Sequence, residues 1–85
     1  MQIIDIILED KKYQIEWALS EYFDELKGKK FMLNEVAANQ IIEIDDLSEI
    51  AKILLSAVAG AAIQHLIDNN CKIDSIFQNG YMIIK

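Results

Sequence analysis

The chain has 85 residues and a mass of 9.7 kDa, which is room for one domain with one modest hydrophobic core. Apolar residues make up 53% and charged residues 26%, so the chain is expected to fold. Eight lysines, no arginine and fourteen acids give a net charge of −6, which disfavours binding to nucleic-acid phosphates. One cysteine and one histidine exclude an intramolecular disulfide and a structural zinc site.

The sequence predicts neither a signal peptide nor a membrane span. The apolar patch from Ile3 to Leu8 is interrupted by Asp5 and lacks a basic region and a cleavage site, so it is not a signal peptide. The most apolar stretch, Ile53–Ile63, has eleven residues, whereas a membrane span needs about 20. We therefore expect a cytoplasmic protein with no membrane partner.

The first thirty residues are predicted to form an amphipathic N-terminal helix packed on the core. Ile15, Leu19, Tyr22 and Leu26 form a stripe at helical spacing within residues 10–26. Residues 3–8 extend this stripe, but their branched side chains suit a strand equally well, so both structures stay open there. The run of residues 27–30, with Gly28 and three lysines, is suited to a helix end.

The centre of the chain predicts a short strand and then further helices. Phe31–Leu33 is a short extended segment, and Asn34 can cap a brief helix that ends at Ala38 or Gln40. Residues 41–44 are ambiguous between the end of that helix and a strand.

The next predicted helix begins near Asp46, because Asp46 followed by Glu49 resembles a capping box. Residues 47–69 are apolar nearly all round, so this segment must be covered on several sides, by the core or by a second chain. Periodicity does not decide whether it is one helix or two helices with a turn near residues 56–60.

The C-terminus predicts a β-hairpin. The preceding helix should stop at Asp68–Asn70, since asparagine tolerates the left-handed conformation. Residues 72–77 and 81–84 then flank Asn79-Gly80, a strong signal for a two-residue hairpin turn. The predicted fold is mainly α with a C-terminal β-hairpin.

This order of elements resembles a winged helix-turn-helix domain over residues 31–85. Phe31–Ala37 resembles the opening strand and first helix of that family, Leu47–Leu54 the second helix, and Gly60–Ile67 the last helix before the wing. The resemblance implies a winged-helix-like α+β domain, preceded by the helix of residues 1–30 and forming a single folded unit with it.

The family also suggests an alternative function, a homodimeric transcription regulator that binds DNA. The resemblance would place the last helix in the major groove and the wing beside the backbone. The DNA-contacting residues would then be Ser56, Gln64, His65, Asn69, Asn70 and Lys72. However, Ile53–Cys71 contains no lysine or arginine, so the usual phosphate and guanine contacts are missing there.

The charge distribution favours a protein partner over DNA. Residues 1–50 carry twelve acids and five lysines, net −7, whereas residues 51–85 carry net +1. We therefore predict a small acidic, non-enzymatic binding module whose partner has a basic surface. By analogy, small acidic proteins of mobile elements often inhibit nucleic-acid machinery, and an inhibitor or adaptor role fits this size and charge.

The predicted partner-binding residues combine aromatic and acidic side chains in the N-terminal segment. Aromatic residues bordered by acids are typical of an interface hot spot, although an aromatic pair also covers a small core. The set is Tyr13, Glu16, Trp17, Glu21, Asp24 and Glu25. A homodimer through the Ile53–Ile63 helix is a second partner hypothesis, with packing inside one chain as its alternative.

No catalytic residue, metal site or cofactor is predicted. Cys71 and His65 are the only obvious nucleophile and base, and a thiol enzyme is a third hypothesis beside a small buried cysteine and a half-exposed histidine. The acids at 43, 45, 46 and 49 lack the spacing of a calcium loop and are interpreted as solvated residues at a helix start.

Overall fold

A four-stranded antiparallel sheet and a long helix form the architecture. The computed structural model describes residues 2–18, 24–36 and 46–85. Within them the sheet has the order β2-β1-β4-β3. The elements are β1 (Gln2–Leu8), β2 (Lys11–Trp17), β3 (Lys30–Met32), α1 (Leu33–Val36), α2 (Glu49–Asp68), α3 (Ile73–Asn79) and β4 (Tyr81–Ile84). The fold is α+β, and its strands lie mostly in the N-terminal part of the chain.

The predicted N-terminal helix is wrong, because residues 2–17 form a β-hairpin. β1 pairs antiparallel with β2 in the register Ile4 opposite Ile15 and Ile6 opposite Tyr13. The two-residue turn at Glu9 and Asp10 has φ angles of 50° and 66°, which is the type I′ geometry of a tight hairpin. This turn contains no glycine, so its usual sequence signal is absent.

β1 is a central strand, and β4 from the C-terminus pairs with its other edge. Ile4 lies opposite Ile84, and Ile6 lies opposite Met82. The even-numbered residues of β1 and β4 are buried on the side of the sheet that faces the helices. The two ends of the chain therefore lie side by side in one sheet.

The predicted C-terminal hairpin is also wrong, because residues 73–79 form α3 and only Tyr81–Ile84 forms a strand. Gly80 has a φ of −74° and so does not occupy the left-handed position of a hairpin turn. A Cβ atom on Gly80 would lie 2.6 Å from the carbonyl oxygen of Ile76 and 2.8 Å from Cδ1 of Leu33. Close packing of α1 and α3, not turn geometry, thus explains this glycine.

The central helix α2 is one continuous helix from Glu49 to Asp68. Ser48 is its N-cap, and the Ser48 hydroxyl accepts a hydrogen bond from the Ala51 amide at 3.2 Å. The helix ends at the predicted Asp68–Asn70 signal, where Asn70 has a φ of 66°. The open question between one helix and two is resolved in favour of one.

The predicted winged-helix-like architecture is therefore wrong. The segments Leu47–Leu54 and Gly60–Ile67, which resemble two helices of that family, belong to the single helix α2. The segment that resembles the wing contains α3, and β4 pairs with β1 and β3. The short strand at Phe31 and the brief helix beside Asn34 are present as β3 and α1. The proposed end of that brief helix and residues 41–44 lie outside the described residues.

One side of α2 packs over the sheet and the other side is open. Large exposed hydrophobic residues are Ile50, Ile53 and Ile67 on α2 and Ile73 on α3. By length and composition alone, α2 would also suffice to cross a membrane, a test that core helices of water-soluble proteins pass as well.

Candidate functional site

The open side of α2 carries a stripe of exposed residues, which we call the outer stripe. Its members alternate in spacing between three and four residues, the pattern by which one helix packs along another. They are Ile50, Ile53, Ala57, Gly60, Gln64 and Ile67. The side chains of Ile50 and Ile53 are 53% and 69% exposed. Three of the six members are isoleucines, one is alanine and only Gln64 is polar, so the stripe is a mainly hydrophobic surface.

The middle of the outer stripe is shallow. Gly60 lies inside a helix, where glycine costs about 0.5–1 kcal/mol relative to alanine. A Cβ atom added to Gly60 would meet no atom within 4 Å, so packing within the described chain does not require the glycine. Together with Ala57, it leaves space in which another helix could approach the α2 backbone closely.

Acidic side chains gather at the N-terminal end of α2. The Glu25 carboxylate accepts hydrogen bonds from the Ser48 hydroxyl at 2.7 Å and from the Ser48 amide at 3.2 Å. This contact brings the turn at residues 24–28 to the start of α2. We call the exposed residues Asp24, Glu25, Asp46 and Glu49 the acidic end of α2. Carboxylates are favourable there, because they face the positive end of the helix dipole.

The predicted partner-binding residues do not form one surface. Tyr13 and Trp17 lie on the side of β2 that faces the helices, where both are half-buried against the core. Glu16 is exposed on the opposite face of β2. Asp24 and Glu25 belong to the acidic end of α2, and Glu21 lies outside the described residues.

The residues predicted for DNA contact are spread over two regions. Gln64 lies on the outer stripe and donates to the Asp68 carboxylate at 2.9 Å, and Ser56 is half-buried. The remaining four lie at the C-terminal end of α2 and just beyond it: His65, Asn69, Asn70 and Lys72. The Asn69 side chain donates to the His65 carbonyl at 2.7 Å and so caps the helix end.

A cavity of about 430 Å³ lies between the β1–β2 turn and the end of α2. It is lined by Leu8, Glu9, Lys11, Tyr13, Asn69, Asn70, Cys71, Lys72 and Ser75. Ser75 hydrogen-bonds the Glu9 carboxylate across it. Three residues predicted to contact DNA thus share a cavity with Cys71.

Tyr13, rather than His65, is the hydrogen-bond partner of the thiol. The Tyr13 hydroxyl lies 3.5 Å from the Cys71 sulfur, and the His65 ring packs edge-on against the Tyr13 ring with 6.1 Å between centroids. The contact with Cys71, burial and the charge of Glu9 raise the pKa of Tyr13 above its ordinary value. A neutral phenol at pH 7 does not act as the base that a reactive thiol needs.

Among the described residues, one charged side chain is buried, and it lies on the sheet face away from the helices. Asp5 is 3% exposed and accepts hydrogen bonds from Gln14 at 2.8 Å and Lys85 at 2.7 Å, with Lys12 at 3.6 Å. Burial acts to raise the pKa of Asp5, but the hydrogen bonds from Lys85 and Gln14 and the lysine charges outweigh it and hold the pKa below its ordinary value. Through these contacts Lys85 is bound to β1 and, by way of Asp5, to the side chains of β2.

No group of three histidine, cysteine or acidic side chains within residues 2–18, 24–36 and 46–85 is placed to hold a metal ion. Two of the four acids considered for such a site, Glu43 and Asp45, lie outside those ranges.

Comparisons with protein-family models, curated protein sequences and solved structures found no match for the chain.

The sequence reasoning missed the outer stripe as a separate surface. The sequence indicated only that residues 47–69 are apolar nearly all round, whereas in the structure Val58 is fully buried and Ile50, Ile53 and Ala57 are exposed. The signal that could have separated them is the alternating three-and-four spacing that continues through Gly60 and Gln64 to Ile67.

Proposed function

We propose that the chain is a small acidic, non-enzymatic binding module, and that its outer stripe binds a basic amphipathic helix of a protein partner. One observation carries this proposal. Ile50 and Ile53 are 53% and 69% exposed, and they lie in the first two turns of α2, at the end where Glu49 precedes Ile50 and the Glu25 carboxylate contacts Ser48.

The arrangement matches the general anatomy of a protein interface. Such interfaces have an apolar centre and a polar rim, and a few large side chains supply most of the binding energy. Here Ile50 and Ile53 would form the centre and the acidic end of α2 the rim. The small residues Ala57 and Gly60 would let the partner helix come close along the rest of the stripe.

The charges favour a basic partner. Exposed carboxylates attract a positively charged surface over about 8–10 Å at physiological salt, which raises the association rate and disfavours acidic competitors. The interaction should therefore weaken as salt is added, while the apolar contacts at Ile50 and Ile53 keep part of the affinity.

Two labelled helical peptides with the same leucine pattern test the proposal, one with lysines and one with glutamates at the other positions. Fluorescence anisotropy should show that the protein binds the lysine peptide and not the glutamate peptide. Ile53→Asp should weaken the binding at least tenfold, since it places a charge in the apolar centre. Glu35→Gln, an exposed acid on α1, is the control that should leave affinity unchanged.

Equal binding of both peptides, or unchanged affinity of Ile53→Asp, would contradict the proposal. A duplex DNA titrated in parallel tests the regulator. Tight binding to DNA with a steep loss of affinity as salt rises would favour it instead. Cys71→Ser should leave peptide binding intact, because no residue of the outer stripe lines the cavity at Cys71.

A further inference from the structure

The strand β2 forms one edge of the sheet, with β1 as its neighbour in the described strand order. An edge strand presents backbone N–H and C=O groups that can pair with another strand. Lys12, Gln14 and Glu16 are exposed along this edge. We propose that β2 pairs antiparallel with β2 of a second copy of the chain, about a two-fold axis at Gln14, so that the sheet continues through the dimer.

The charges of β2 are complementary to themselves in this register. Gln14 is the middle residue of Lys11–Trp17, so the whole strand overlaps when Gln14 lies opposite Gln14 of the second copy. Lys12 then lies opposite Glu16 of the second copy, and the symmetry repeats this pair. Opposite charges at directly facing positions stabilise a pair of strands. A register shifted by two residues places Lys12 opposite Gln14 and loses both pairs.

The backbone groups of the same residues point outward. Leu8 and Lys11 flank the two-residue turn at Glu9-Asp10, and the residues that flank such a turn exchange hydrogen bonds with each other. Hydrogen-bonded and non-bonded positions then alternate along an antiparallel pair. Lys12, Gln14 and Glu16 therefore direct their N–H and C=O groups away from β1 and towards the second copy.

The side chains on both faces support the pairing. On the helix side, Tyr13 lies opposite Ile15 of the second copy, and both residues are half-buried in the single chain. On the other side, the Lys12 ammonium already lies 3.6 Å from the Asp5 carboxylate. In the dimer this ammonium would lie between Asp5 and Glu16 of the second copy. The contact is isologous, so it closes at two chains.

This dimer does not involve the outer stripe, since β2 and that stripe share no residue. Its test can therefore fail without affecting the proposed function. Ile53→Asp, which should weaken peptide binding, should leave the dimer unchanged.

Light scattering over a range of protein concentrations tests the proposal. The mass should rise to about twice 9.7 kDa at high concentration. Glu16→Lys places lysines opposite each other twice and should raise the dimer dissociation constant about tenfold or more. Glu35→Lys makes the same charge change on α1 and should leave it unchanged. The double variant Lys12→Glu with Glu16→Lys restores opposite charges across the pair but removes the Lys12 ammonium from beside Asp5, so it should recover part of the affinity lost in Glu16→Lys.

Amide hydrogen exchange of the unmodified chain gives a second readout that does not depend on any variant. The amides of Lys12, Gln14 and Glu16 should be protected at high concentration and should exchange rapidly on dilution. The amides of Tyr13 and Ile15 should be protected at both concentrations, because they bond to β1.

If light scattering shows a monomer even at the highest protein concentration, the proposal is wrong. A dimer that Glu16→Lys leaves intact, or that Ile53→Asp abolishes, also overturns it, and the second result would place the contact on α2.

Discussion

The two sides of α2 are similar in composition but differ in surroundings. The inner side carries Leu55, Val58, Ala59, Ala62 and Leu66, all at 0% exposure. The outer stripe carries three isoleucines that are 37–69% exposed. The apolar residues on one side of this helix therefore stabilise the fold, whereas those on the other side are exposed, and we propose that they contact a partner.

The same difference explains why a helix apolar nearly all round occurs in so small a chain. A chain of this length buries only about 60–65% of its unfolded surface, and one sheet covers one side of a helix. The apolar side chains that stay exposed lower the solubility of the protein unless a partner covers them. Substitutions matched on the two sides can therefore separate stability from binding.

The largest expected effect comes from truncating a buried leucine. Leu55→Ala should lower the free energy of unfolding by about 2–5 kcal/mol, because it removes contacts and leaves a cavity in the core. Ile53→Ala removes a side chain of similar size from the outer stripe and should change stability by less than about 0.5 kcal/mol. Urea unfolding of both variants measures the difference. Equal losses would show that the stripe is part of the core.

A pair of glycines gives the second comparison. Gly80→Ala should destabilise the chain by about 1–3 kcal/mol, since the new methyl group would collide with the Ile76 carbonyl oxygen and with Leu33. The carbonyl belongs to the backbone of α3 and cannot turn aside. Thermal unfolding measures the loss, and an unchanged melting temperature would disprove the close packing of α1 and α3 at this point.

On the sheet, the buried side chain of Asp5 faces away from the helices. Asp5→Asn should cost about 1 kcal/mol at pH 7, because it weakens the bonds to Lys12 and Lys85, whose side chains are about half exposed.

The pH dependence of this loss follows from the lowered pKa of Asp5. The ionised carboxylate contributes its full stabilisation above the unfolded pKa of about 3.9, and the contribution is lost as the pH falls through the lower folded pKa. The stabilities of Asp5→Asn and the unmodified chain should therefore converge below about pH 4. A difference that persists unchanged at pH 2 would rule out ionisation as its cause.

At Gly60 a small effect of the opposite sign is expected. Gly60→Ala should stabilise the chain by about 0.5–1 kcal/mol, because alanine favours the helix and open space surrounds the position. If a partner helix uses that space, Gly60→Leu should weaken binding of the lysine peptide while Gly60→Ala changes it little. Destabilisation by alanine would show that the position is packed against the chain.

The sequence predicted the elements whose signals are local. Helix within residues 47–69 was expected from the apolar run, without deciding between one helix and two, and its end was expected at Asp68–Asn70. A short strand near Phe31, a brief helix near Asn34 and a strand over Tyr81–Ile84 were also expected, but the last was expected to pair within a hairpin and instead pairs with β1 and β3. Caps and uninterrupted apolar runs act within a few residues, so a single sequence can reveal them.

The errors arose where pairing partners are distant or where turns lack their usual residues. Tyr13, Ile15 and Trp17 alternate with polar residues as in a strand, but a stripe at helical spacing through Ile15 and Tyr22 competed with that pattern. The turn at Glu9-Asp10 adopts positive φ angles without glycine. Asn79-Gly80 had the opposite effect, since a typical hairpin dipeptide follows a short helix.

The candidate site was predicted only in its charge. The acidic character and the two residues Asp24 and Glu25 were expected, but their position beside α2 depends on the Glu25–Ser48 contact across 23 residues of sequence. The exposure of Ile53 likewise depends on which side of α2 the sheet covers, and helical periodicity does not contain that information.

Methyl NMR of isoleucine-labelled protein can locate the peptide-binding surface, because isoleucines lie both on the outer stripe and on the buried face of the sheet. On titration with the lysine peptide, the methyl signals of Ile50, Ile53 and Ile67 should shift, while those of the buried Ile4, Ile6 and Ile84 should remain in place. Shifts confined to Ile15 or to the sheet, with Ile50 and Ile53 unchanged, would contradict the assignment of the outer stripe as the binding surface.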